Sequence, residues 1–140
     1  MRMRGATAGA LAAAGWAASE PLLRRAFGTP YSDVRLIGRM VTRGPAWPVA
    51  GVAVHVVNGA VFGAVFARLG GRGVRAGVLA AEAENLALWP LITVVDRIHP
   101  DRRERNWPRL ATSRRVALYE VTAHALFGAL LGLALPARDD

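Results

Sequence analysis

Apolar and arginine-rich stretches alternate along this chain on a scale longer than one turn of an amphipathic helix. Apolar segments cover 5–19, 47–67, 76–95 and 116–135, and three of them approach the ~20 residues that a helix needs to cross a ~30 Å hydrocarbon layer. Between Gly44 and Ala67 there is no Asp, Glu, Lys or Arg, whereas soluble core helices rarely sustain more than about 14 such positions. The remaining segments are weaker. The first is short and alanine-rich, the third carries Glu82 and Glu84, and the fourth carries Glu120 and His124. A charge at the centre of an inserting helix costs ~2.5–3.5 kcal/mol, so these segments need neighbours. The pattern predicts an all-α chain, a single domain over 1–140 forming an integral membrane four-helix bundle. The intramembrane charges leave a soluble, alanine-rich helical bundle as the alternative.

A shift of 69 residues superposes His55, Gly59, Ala60 and Gly63 on His124, Gly128, Ala129 and Gly132, and Pro21-Leu22 on Pro90-Leu91. This predicts two copies of a helical hairpin, over about 5–69 and 74–138. A two-helix unit returns the chain to its starting side, so the copies are related by a pseudo-two-fold axis along the membrane normal. The first segment also has the features of a secretory signal, with Arg2, Arg4 and a small-residue site at Ala17-Ala18-Ser19; the repeat makes it instead the counterpart of the third.

Charge then orients the chain. Twelve of the eighteen basic residues lie in the connections 20–44 and 96–115, which the positive-inside rule places on the cytoplasmic side of a bacterial inner membrane. Trp16, Trp47, Trp89 and Trp107 fall towards the same boundary, where amphipathic rings are favoured; Arg2 and Arg4 oppose this orientation. In the first connection Ser32 is placed to cap a short interfacial helix, whose Arg35, Arg39 and Arg43 form a basic edge towards anionic lipid headgroups. The second connection reads as a surface loop, with Asp96, His99 and Asp101 at a His-Pro turn. The exclusive use of arginine, with abundant Ala and Gly, points to a GC-rich bacterial genome. A net charge of +8 without a sustained basic face or stacking platforms argues against nucleic-acid binding. With no cysteine, thiolate chemistry and disulfides are excluded, and no nucleophile or phosphate-binding motif is present, so enzymatic activity is not expected.

The candidate chemistry lies inside the apolar segments. Steps of four align Gly51, His55, Gly59 and Gly63 on one helical stripe, and Glu120, His124, Gly128 and Gly132 on another. Small residues let helices approach closely, so both histidines are expected to face protein near mid-depth. Asn58 sits on nearly the same side as His55; Glu82 and Asn85 share a face from which Glu84 is displaced by about 200°. Together His55, Asn58, Glu82, Glu84, Asn85, Glu120 and His124 form a candidate intramembrane polar cluster, either a structural hydrogen-bond network or a proton or ion pathway. Two further readings involve a cofactor: His55 and His124 as opposed axial ligands of a haem, or His55, His124, Glu120 and Glu82 as donors to a divalent metal. The expected partners are membrane lipids, with room for a homo-oligomer.

Overall fold

A computed structural model describes residues 2–137, with side chains from Arg4 onwards. Position 138 at the end of the second repeat half, and the side chain of Arg2, lie outside the described residues. The described residues are 81% helix and contain no strand. Helix α1 is Arg2–Phe27, α2 Asp33–Val41, α3 Trp47–Arg68, α4 Gly73–Leu88, α5 Ile92–Ile98, α6 Pro100–Arg103 and α7 Arg114–Ala134; 3-10 turns occupy Trp89–Leu91 and Leu110–Thr112.

Among the described residues three helical runs are long and apolar enough to cross a membrane: α3, α4 continued through the turn and α5 to Ile98, and α7. Helix α1 is longer than the alanine-rich segment suggested, continuing through Pro21 to Phe27. The buried face of α3 is Gly51, His55, Gly59 and Gly63, with Phe66 and Ala67 below them. That of α7 includes Tyr119, Glu120, Gly128, Leu131 and Gly132.

Glycines set the packing. Helix α1 lies against α3 and α7, α4 against α7, and α2 against α3. A methyl group on Gly9 would collide with the Gly59 carbonyl, and one on Gly63 with that of Gly5. Across α4 and α7, Gly77 meets Gly128 and Gly73 meets Gly132 in the same backbone-to-backbone manner. No side chain larger than hydrogen fits at such contacts, so these residues are fixed by the approach distance. Large apolar side chains point outwards instead: Val57, Val61 and Val65 on α3, Leu79 and Leu86 on α4, Leu118 and Val121 on α7.

The second connection is not a loop. His99, Asp101 and Leu110 are fully buried, with Trp107 almost so, because its carboxylates supply the order that its apolar content lacks. Asp96 accepts from the amides of Leu110 and Ala111 and from Arg102. Asp101 receives the guanidinium of Arg35, with Nε 3.0 Å from Oδ2, and Arg39 binds Glu104 at 2.8 Å. Ser32 does cap α2, accepting from the Arg35 amide at 3.0 Å. The basic edge, however, is turned towards protein at Arg35 and Arg39, and only Arg43 of the three is exposed. Trp107 likewise leaves the proposed aromatic belt: it stacks on His99 at 4.6 Å and donates to Pro30 O at 3.1 Å.

Candidate intramembrane polar site

Trp16 projects from α1 to a point where α3 and α7 both reach it. Its indole lies 4.2 Å from the His55 ring and 4.8 Å from the His124 ring, which brings the two histidines to one place. At ~1.5 Å per residue, they stand about 12 and 15 Å along their helices from Trp47 and Arg114, near the middle of each helix. Trp16 is 8% exposed and His55 6%, so this tryptophan is a core residue and not part of a boundary belt.

A cavity of about 190 Å³ opens beside these rings. His55, Asn58, Glu84, Asn85, Glu120 and His124 of the expected cluster line it; Glu82 does not. Glu82 instead accepts from Asn85 Nδ2 at 3.3 Å, as the three-residue spacing allows, while Glu84 is turned to the cavity. Asn58 and Leu88, both lining residues, are exposed, so the cavity reaches the surface between α3 and α4.

The Arg-rich end of the cavity holds a group that helical spacing could not reveal. Tyr31, at the entry to α2, is wholly buried and donates to Asp33 Oδ1 at 2.8 Å. Tyr119 donates to Glu20 Oε1 at 3.0 Å. The Glu120 carboxyl interacts with both the Tyr31 hydroxyl and the Asp33 carboxyl. Glu20, Asp33 and Glu120 are each 4–6% exposed, and they come from three separate helices. Burial, reinforced by the Asp33 and Glu120 carboxyls, pushes the Tyr31 phenol well above its ordinary range, so it stays a hydrogen-bond donor. Only Ser32, as a cap, drew attention to this part of the sequence; Glu20, Tyr31, Asp33 and Tyr119 carried no periodic signal.

Hydrogen bonding divides the histidines. His124 Nδ1 is tied to its own helix, 2.9 Å from Glu120 O and 3.5 Å from Glu120 Oε2. His55 Nε2 and Trp16 Nε1 are buried with no hydrogen-bond partner in the protein, a cost of ~1–3 kcal/mol each. The geometry does not favour a cofactor between the histidines, because the Trp16 indole packs on both rings where a shared macrocycle would lie. Among the described residues no three His, Asp or Glu side chains are grouped to hold a metal ion.

The polar column is one-sided. From Gly59 to Ala67 on α3 and from Phe127 to Leu135 on α7, the buried positions are Gly, Ala, Phe and Leu, and the glycine contacts close that half of the protein. No protein-family model matches the chain, and no curated protein or solved structure shows significant similarity to it.

Proposed function

We propose that this is a polytopic bacterial inner-membrane protein of four crossing helices, built as two copies of one hairpin. In this reading it binds and releases protons at a buried carboxyl site between the cytoplasmic face and a mid-depth cavity. The observation that carries the reading is the run of ionisable side chains from Glu20 and Tyr119 through Tyr31, Asp33 and Glu120 to His124. Carboxyl oxygens facing one another away from water are each satisfied when a proton lies between them. Neighbouring phenols give that proton an exchange route towards the Arg-rich face. Because the column stops at mid-depth, the site suits proton binding coupled to an event in the cavity, and not an open pore.

The membrane assignment is supported by three long apolar helical runs whose large side chains face outwards. Exposed Arg25, Arg43, Arg105, Arg109 and Arg114 suit anionic headgroups on the cytoplasmic side, and the sparsely buried outer face of α4 is left for lipid or a second copy. The duplication is supported by the glycine pairs. Gly5 with Gly63 and Gly9 with Gly59 correspond to Gly73 with Gly132 and Gly77 with Gly128. The offset is 68 residues in the first helix of each pair and 69 in the second, so one extra residue precedes Pro90, where α4 gives way to a 3-10 turn.

Infrared spectroscopy of the protein in liposomes tests the proton site. A protonated-carboxyl band that titrates with pH is expected, and it should be lost in Glu120→Gln or Asp33→Asn. Absence of any titrating carboxyl band in the wild type would overturn the reading.

A further inference from the structure

The cavity has a composition that the proton site alone does not explain. In a chain with eighteen arginines, none of the described ones lines it, whereas three carboxyl groups do: Asp33, Glu84 and Glu120. Half of the chain's ten Trp, Tyr and Phe rings also line it. Two of its buried polar atoms, Trp16 Nε1 and His55 Nε2, have no partner within the protein, although their residues are more than nine-tenths buried. A site needed only for packing would not keep such atoms unsatisfied beside open volume.

We infer that the cavity binds a small organic cation, an amine or quaternary ammonium ion, between these carboxyl groups and the aromatic faces of Trp16, Trp89 and Phe127. Aromatic faces attract a cation through their quadrupole most strongly where water is excluded, and carboxyl groups supply the countercharge. The unpartnered His55 Nε2 and Trp16 N–H are left to hydrogen-bond polar substituents. At about 190 Å³ the space is below the ~300–1,000 Å³ of sites for drug-sized molecules, so the ligand is small. It enters where Asn58 and Leu88 bring the cavity to the surface, either as a free amine or as the amine headgroup of a lipid.

The inference deepens the proton-site reading, since a cation entering beside Glu120 replaces a proton held there. The titratable groups around Glu120 are Glu20 of α1, Asp33 with Tyr31 at α2, and Tyr119 and His124 on its own helix, with His55 of α3 and Glu84 of α4 lining the same cavity. Exchange therefore releases a proton from this set.

The test is calorimetric titration of the full chain in phosphatidylglycerol nanodiscs with tetraethylammonium and with choline, set against the uncharged tert-butyl analogue of choline and against benzoate. Saturable binding of both cations is expected, with the uncharged analogue at least about tenfold weaker and no binding of benzoate. Glu84→Gln should weaken cation binding about tenfold without moving the thermal midpoint, and it keeps the test valid if Glu120→Gln fails to fold. Equal affinity for the uncharged analogue, preference for benzoate, or no saturable cation binding would each overturn the inference. Adding phosphatidylethanolamine separates the sources: competition with choline identifies the lipid amine, unchanged affinity identifies a free one, and both uphold the site. Loss of cation binding with a titrating carboxyl band intact would remove the ligand and leave the proton site. The reverse result would remove the proton site alone.

Discussion

His99 shows how much a single residue can hold when both ring nitrogens are used. Nε2 lies 3.1 Å from Leu36 O and Nδ1 accepts from the Asp101 amide at 3.2 Å, which assigns the neutral ring with its proton on Nε2. Burial lowers its tendency to take a second proton, and that proton would have to displace the Asp101 amide. Above the unfolded-state value near pH 6.5, both folded and unfolded forms are neutral and the contribution is complete. As the pH falls below it, the unfolded chain binds the proton first and stability is lost. The thermal midpoint should therefore drop on acidification through pH 6.5, and the slope should be shallower in His99→Gln. An identical pH profile for the two proteins would show that His99 plays no such part. A lone histidine before proline in an arginine-rich stretch gave no hint of this, because its Nε2 partner comes from α2, more than sixty residues away.

At the scale of the helices, the legible features were those with a period. The stripe through Gly51, His55, Gly59 and Gly63 is readable because helix rotation alone puts those positions on one side, and that side is buried. What periodicity could not supply was partner identity. The repeat pointed to a related first and third helix, yet the glycines of those helices that carry the contacts, Gly5, Gly9, Gly73 and Gly77, are offset by 68 residues and escape an ungapped 69-residue comparison. The carboxyl group at Glu20, Asp33 and Glu120 was equally hidden, since three helices must converge before it exists. The glycine contacts give a quantitative expectation. Gly128→Ala gains helix propensity of up to ~1 kcal/mol but drives a methyl group into the Gly77 backbone, for a net loss of ~1–3 kcal/mol in a denaturant titration. Gly44→Ala, whose methyl would meet only Thr42 Oγ1 at 3.6 Å, should be near neutral. Equal stability of the two variants would show that α4 and α7 are not held by this contact.

At the scale of the whole molecule, sidedness is the property that composition addresses most directly and geometry least, because distance along a bundle has no sign until a membrane is drawn. The chain lacks cysteine, so single substitutions label cleanly. In inner-membrane vesicles of cytoplasmic-side-out orientation, Arg43→Cys and Arg105→Cys should both react with an impermeant maleimide, while Gly70→Cys, at the opposite turn, should react only after permeabilisation. Reaction of Gly70→Cys alone would invert the topology, and protection of one arginine position but not the other would break the two-hairpin plan.

The close fit of α1 to α3 through Gly5, Gly9, Gly59 and Gly63 also bears on biogenesis. Helix α1 is not among the three strong spans, and the surface that would shelter it is synthesised after it, beyond the arginine-rich connection. If α1 is the fourth crossing helix, as proposed above, its stable insertion is deferred until α3 arrives. A nascent chain arrested before Trp47 should remain extractable from the bilayer, whereas one extended past Arg68 should not, making membrane integration of the amino-terminal half a paired event and not a sequential one.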